Sequence, residues 1–198
     1  MRSWAQDNVT HVAHMTHGDF YGSEQSVILP SHDTVKIVFR SGDGKETLLK
    51  GGLSLQAGEV IDSSCMSKKA LTEFYAAQIS DCKTKNILLS LHLKATMMKV
   101  SDPILFGHMV KEYYKDVFDK HQQLFDQIGV NPNNGIGDLY EKIKGNPAQA
   151  EVEKDILQCY SSRPGLAMVD SSKGWETGFL RKLSNHEHYR DHQSSRPQ

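Results

Sequence analysis

The stretch Leu89-Ser90-Leu91-His92-Leu93-Lys94-Ala95-Thr96-Met97-Met98-Lys99-Val100-Ser101-Asp102-Pro103 constrains this chain most. Ile87 to Leu93 is a short, largely apolar run, the pattern of a strand buried on both faces. The run ends in Lys94, a tight turn follows, and Asp102-Pro103 opens a helix with proline at the tolerated first position. Strand, turn and helix in that order make an α/β unit, and ligands of such folds gather at the carboxyl ends of strands. A lysine held there, partly out of water, has a lowered pKa and exchanges protons near neutral pH. That chemistry suits the oxidation of an alcohol, which must lose its hydroxyl proton as hydride leaves. The competing reading is a strand-end lysine that simply reaches solvent, as charged residues mostly do. Lys99 carries the same ambiguity with weaker placement.

The segments on either side fit an α/β chain with a more antiparallel, β-rich start. In Val35-Lys36-Ile37-Val38-Phe39-Arg40, the residues Val35, Ile37 and Phe39 share one face of a strand. Lys36 and Arg40 lie on the other face, with Val38 as the exception. Ser41-Gly42-Asp43-Gly44 is turn chemistry, and Thr47 to Lys50 can pair back as the second strand of a hairpin. From Ser67, a candidate cap, Ala70, Leu71, Phe74, Tyr75, Ile79 and Cys82 fall at helical spacing, and Asn86 is a stop. The helix opened by Asp102-Pro103 has an apolar face made of Phe106, Met109, Val110, Tyr113, Val117, His121, Leu124 and Ile128 and ends at Gly129. A loop at Asn131 to Gly135, short helices at Leu139 to Ile143 and Pro147 to Cys159, and a return strand at Leu166 to Val169 complete the order. Gly174 to Gln198 is rich in His, Arg, Ser and Gln, with no aliphatic residue after Leu183. Such a tail cannot bury enough surface to offset the entropy of ordering it.

Composition excludes several classes. With 23 basic against 24 acidic residues the net charge is -1, which gives no reason to expect nucleic acid or a membrane surface as partner. Cys65, Cys82 and Cys159 are odd in number and widely spaced, which points to reduced thiols. No leader and no apolar run long enough to cross a bilayer is evident, so a cytoplasmic protein is the expectation. His11, His14 and His17 recur at three-residue spacing, but Val9, Thr10, Val12 and Gly18-Asp19 favour a strand and turn there. A strand would point His14 away from the other two, which argues against a metal site. Gly135-Ile136-Gly137 has neither the preceding strand nor the third glycine of a dinucleotide fingerprint.

Beyond these local signals, long stretches resemble the monomeric NADP-dependent isocitrate dehydrogenases. They include His11 to Met15, Gly18 to Glu24, Gln56 to Glu59, Ile61 to Ser64, Met66 to Lys68 and, most specifically, His92 to Pro103. Tyr114 to Asp116, Asn133 to Tyr140, Arg163-Pro164 and Leu166 to Val169 continue the similarity, nearly unbroken from Trp4 to about Gly174. The resemblance implies NADP-dependent oxidation of isocitrate at its 2-hydroxyl and loss of CO2 to give 2-oxoglutarate. It also implies a divalent ion, Mg2+ or Mn2+, acting as a Lewis acid. Lys94 matches the family's catalytic lysine. The implied fold is of the isocitrate and isopropylmalate dehydrogenase type, with residues 1–173 forming part of its larger domain and 174–198 a non-family tail.

The same resemblance implies what this chain does not carry. The family's serine, asparagine and arginine ligands for isocitrate fall upstream of Met1. The lysine's tyrosine partner, metal-binding aspartates and NADP-binding residues fall downstream. A further metal-binding aspartate belongs soon after Ser171 to Gly174, where Trp175 onward departs from the family. No residue here therefore inherits a metal or cofactor role, and the chain alone is expected to be inactive. Two alternatives stand beside that reading: a binding or interaction module, and an enzyme assembled from separately encoded parts.

Overall fold

The computed structural model describes residues 8–91 and 97–167. Lys94 with its immediate neighbours, and the stretch from 168 onward, therefore fall outside the described residues. The chain is a mixed α/β protein that divides into two compact units, Met15–Ala70 and the combination of Met1–His14 with Leu71–Gln198.

The first unit opens with a single turn, α1 (Phe20–Ser23), capped by the Asp19 carboxylate, which accepts from the Gly22 N–H. Four strands follow: β1 (Gln25–Ile28), β2 (Asp33–Arg40), β3 (Glu46–Leu55) and β4 (Val60–Ser63). They form two separate antiparallel pairs, β1 with β4 and β2 with β3. The β2–β3 hairpin was legible in the sequence, and its register puts Val35 opposite Leu53 and Phe39 opposite Thr47. Extra residues in β3, around Gly51-Gly52 and Leu49, shift that register twice, and Gly52 takes φ +65° as a bulge glycine does. The expected apolar face exists but is not a buried one. Ile37 is 50% exposed and Phe39 54%, and Leu29 and Ala70 alone are buried in this unit. Residues 8–15 form no strand, contrary to the expectation for Val9 to Val12. Their local bonds are turn-like, with Asn8 Oδ1 accepting from the Thr10 N–H.

The second unit is largely helical. Its first helix, α2 (Lys68–Lys85), begins in the first unit and starts and stops where its punctuation dictates. The Ser67 hydroxyl accepts from the Ala70 N–H, and Asn86 adopts the left-handed conformation at φ 52°. Leu71, Tyr75, Ile79 and Cys82 form its buried stripe. The single long helix expected from Asp102 to Ile128 is instead three: α3 (Ser101–Tyr113), α4 (Lys115–Lys120) and α5 (Gln122–Ile128). Tyr114 (ψ 29°) and His121 (ψ 18°) leave the helical well at the two breaks. Both are pinned sideways to α7 (Gln149–Ser162), Tyr114 through Tyr160 and His121 through Asp155. The chain bends where its side chains are held, and the breaks bury Tyr114 and Phe125, which lay off the expected face. A 3-10 turn at Pro132–Asn134 leads into α6 (Ile136–Ile143). Val117, Leu139, Val152 and Ile156 are all 0% exposed and mark the core.

The expected strands at Ile87 and Leu166 meet as a parallel bridge between Leu89 and Leu166. The Leu89 N–H donates to the Gly165 carbonyl at 2.9 Å, and the Leu89 carbonyl accepts from the Ala167 N–H at 2.9 Å. Leu89 is buried and Leu88 is 37% exposed, so this segment has one covered face rather than two. The period-two alternation follows from that one-sided packing.

Candidate functional site

The segment leading to Lys94 is described as far as Leu91, and the chain is described again from Met97. Leu89 anchors it on the amino-terminal side by burial and two backbone bonds. On the carboxyl-terminal side, Met97, Met98 and Val100 are all exposed, and Asp102 is the first buried residue. Among the described residues Asp102 is the buried charged side chain, 8% exposed, in the first turn of α3. Its charge reaches the Tyr75 hydroxyl, which burial first and Asp102 second push up to about 12. The Tyr75 hydroxyl donates to the Leu105 carbonyl at 3.3 Å, tying α2 to α3.

Beneath the Leu89–Leu166 bridge lies a cavity of about 120 Å³ whose walls include Leu89, Phe106, Met109 and Ile136. Among the described residues no charged side chain lines it.

Next to this cavity is a tyrosine cluster. The Tyr113 hydroxyl donates to the Pro164 carbonyl at 2.7 Å, and the Tyr114 and Tyr160 hydroxyls share a bond of 2.8 Å. Burial is the main force pushing all three above the ordinary phenol range. They are neutral hydrogen-bonding groups and not acids or bases near neutral pH.

The described residues contain one group able to hold a metal, His121, Glu151 and Asp155, with ligand atoms within 4.8 Å of one another. Sequence reading missed it because His121, at the break between α4 and α5, meets Glu151 and Asp155 of α7 only through the fold. Lys120 settles its character: its ammonium lies 2.8 Å from both Glu151 and Asp155 and already supplies the cation. The hydrogen bond from Lys120 chiefly holds the Asp155 carboxyl below its usual range against the opposing effect of burial, and His121 assists. With Nε2 of His121 2.7 Å from Asp155, the cluster is an ion-pair knot joining α4 and α5 to α7. It does not fit a divalent ion poised to meet a substrate, which needs open coordination positions.

The remaining sequence candidates do not converge. His11 meets Asp81 at 3.3 Å and His17 bonds to Thr16, and among the described residues neither they nor His14 belong to a metal-competent group. Gly135-Ile136-Gly137 is a loop-to-helix connection, as expected. Gly135 has φ +83°, and an added Cβ would lie 3.1 Å from Phe106. Asp138, in the next turn, accepts from the Asn131 N–H and pairs with Lys142, which fixes the loop to the helix. No described helix is long and apolar enough to cross a membrane.

Comparison with known proteins adds what the geometry lacks. Residues 1–179 match the family described as monomeric isocitrate dehydrogenase. The chain is 55% identical over 176 residues to the NADP isocitrate dehydrogenase of Azotobacter vinelandii, covering 88% of this chain and 24% of that protein. It is 53% identical to isocitrate dehydrogenase [NADP] 2 of Colwellia maris and 51% to that of Mycobacterium tuberculosis, with the same coverage. The chain thus spans about a quarter of the length of the relatives it matches.

Proposed function

The chain belongs to the monomeric isocitrate dehydrogenase family, and from that premise we propose that it supplies the lysine-bearing part of an NADP-dependent isocitrate dehydrogenase. The reaction is oxidation of isocitrate at C2 with hydride passing to NADP, loss of CO2, and proton delivery to give 2-oxoglutarate. The observation that carries this reading is the match over residues 1–179, at up to 55% identity to NADP-dependent enzymes, which includes the run from His92 to Pro103. Residues 1–173 are read as part of the larger domain of an isocitrate and isopropylmalate dehydrogenase-type fold, and 174–198 as a separate tail. The family match reaches a few residues into that tail.

Lys94 has the role of the proton-transfer group. It follows a segment whose paired strand residue, Leu89, is parallel to its neighbour, the arrangement that brings ligands to strand carboxyl ends. The proton in question leaves the 2-hydroxyl as the carbonyl forms. The family's Mg2+ or Mn2+ supplies Lewis-acid stabilisation of the oxygen charge. Neither that ion nor NADP fits the described residues, since the one metal-competent group is closed by Lys120 and the Gly135 loop is no dinucleotide cradle. In this reading those groups are held by parts of the family enzyme that this chain, about a quarter of its relatives' length, does not span.

The test is an isocitrate-dependent NADP-reduction assay with Mn2+, run on this 198-residue chain and on a complete enzyme of the family containing it. The chain alone is expected to give no NADPH, because positioning and charge stabilisation need the absent ligands. Lys94→Met in the complete enzyme is expected to lower turnover about 10²–10⁴-fold. Turnover by the isolated chain overturns the first expectation, and near-normal turnover of the variant overturns the second.

One observation favours association with other polypeptide as a second reading. Ile37, Phe39, Leu48 and Leu49 of the β2–β3 hairpin are each 50–64% exposed, more apolar surface than a two-stranded sheet of this size leaves open without a partner.

A further inference from the structure

We propose that β2 pairs edge to edge with the β2 of a second copy of this chain, antiparallel and centred on Ile37. The inference deepens the association reading given above and rests on it. Its starting point is the shape of residues 25–63. Strands β1 and β4 pair from Gln25 opposite Ser63 to Ile28 opposite Val60, and β2 and β3 from Asp33 opposite Leu55 to Arg40 opposite Glu46. Between the two pairs the Leu29 N–H donates to the Glu59 carbonyl, and the Leu29 carbonyl accepts from the Gly58 N–H. The result is one long two-stranded ribbon, and among the described residues neither pair has a third strand. A lone two-stranded ribbon is marginal in water, and a third strand or more is needed for independent stability.

The side chains say where the added strand goes. Residues opposite each other across a strand pair share a face, so Phe39 and Thr47 look to one side while Val38 and Leu48 look to the other. Exposed apolar side chains stand on both faces, Ile37 and Phe39 on one and Leu48 on the other. A surface laid on one face leaves the other open, whereas a strand added at an edge flanks both. The two edges are unlike. Strand β3 carries the two register shifts and Gly51-Gly52, which twist and blunt an edge. Strand β2 has no proline, no glycine and no extra residue, and Val35, Ile37, Val38 and Phe39 are β-branched or aromatic.

A second copy fits this edge because β2 complements itself. The pleat allows a twofold antiparallel pair only in registers centred on a residue. Centred on Lys36, two lysines stand opposite each other, and centred on Val38, Lys36 stands opposite Arg40. Centred on Ile37, no like charges meet: Ile37 faces its own copy, Val35 faces Phe39, Lys36 faces Val38 and Thr34 faces Arg40. The net charge of -1 sets little repulsion between copies. At roughly 100 Å² for each of Ile37, Phe39, Leu48 and Leu49, two copies hold roughly 800 Å² of exposed apolar surface, the scale of a reversible pair.

The experiment uses the 198-residue chain itself. Sedimentation equilibrium from about 1 μM to about 1 mM should show the mass rising from that of one chain toward that of two. Ile37→Lys sets two ammonium groups against each other on the axis and should weaken the pair about tenfold or more. In a Cys65→Ser background, which removes the exposed native thiol, Ile37→Cys should form a disulfide between copies with oxidised glutathione. Thr34→Cys should not, because its own copy lies far along the partner strand. A chain that stays monomeric throughout overturns the proposal. So does protection of the β2 amides from hydrogen exchange in a monomer, which assigns the edge to the chain's own residues. A dimer that Ile37→Lys leaves intact, with no cross-link at Ile37→Cys, overturns the β2 pairing while leaving the association reading standing. Assembly beyond two copies that Ile37→Lys does not abolish overturns it equally. If Ile37→Lys does not fold by circular dichroism, the cross-link decides, and equal cross-linking at Thr34→Cys and Ile37→Cys counts against the register.

Discussion

Replacing Asp155 by alanine dismantles the knot that fastens α4 and α5 to α7, and its cost can be worked from the geometry. Asp155 Oδ2 accepts from Lys120 at 2.8 Å and from His121 Nε2 at 2.7 Å. Lys120 is half exposed, so its contribution is heavily screened and small. His121 is 9% exposed, and without Asp155 its ring N–H loses its acceptor where water reaches poorly. A buried donor left unpaired costs about 1–3 kcal/mol. Asp155→Ala is therefore expected to lower unfolding free energy by about 1–3 kcal/mol in urea denaturation followed by circular dichroism. In a double-mutant cycle with His121→Ala most of that loss should reappear as coupling energy. The pH dependence has a definite sign. The folded-state pKa of Asp155 is depressed, chiefly by Lys120. The unfolded chain therefore binds the proton first, and the stabilisation is fully present above about pH 4 and lost as pH falls through the lower folded value. The variant should show a shallower acid limb. Unchanged stability in Asp155→Ala, or zero coupling to His121, would refute the reasoning.

Gly107→Ala should destabilise by about 1–3 kcal/mol, because the new methyl overlaps Asn133 on the turn that α3 packs against; an unchanged melting temperature contradicts it. In an alkaline spectrophotometric titration Tyr75, Tyr113, Tyr114 and Tyr160 should remain protonated at about pH 10, where ordinary phenols are half ionised. Full tyrosinate absorbance there without unfolding would show that these hydroxyls are not buried. Limited proteolysis should cleave first within 174–198, where the sequence has no apolar pattern, and protection of Tyr189 or His192 would count against that boundary.

What the sequence made legible follows from where each determinant lies. Helix α2 carries its own start at Ser67, its own stop at Asn86 and a regular apolar stripe between them, so nothing distant was needed to read it. The β2–β3 hairpin is equally local, with turn residues at Ser41 to Gly44 and alternation on either side. Strands β1 and β4 escaped notice because their pairing is long-range: Gln25 meets Ser63 and Ile28 meets Val60, and neither strand has a pattern of its own. The breaks at Tyr114 and His121 were invisible for a related reason. Helical spacing runs unbroken through both residues, and what bends the chain is the grip of Tyr160 and Asp155 on α7.

The same distinction bears on the site. A strand-end lysine and a solvated lysine have the same local pattern, so Lys94 was not separable from its bland reading by periodicity or charge. Its reading as a proton-transfer group rests on the long family string around it. Asp102 shows the converse. In sequence it is an ordinary helix-opening Asp-Pro, and a first-turn acid needs no further explanation. Its burial, at 8% exposure after a stretch that buries nothing, is what sets it apart. The ligand-like trio of His121, Glu151 and Asp155 argues in the opposite direction, since close acidic and imidazole groups there are answered by Lys120. Proximity of polar groups thus marks a knot where the charges are mutually satisfied.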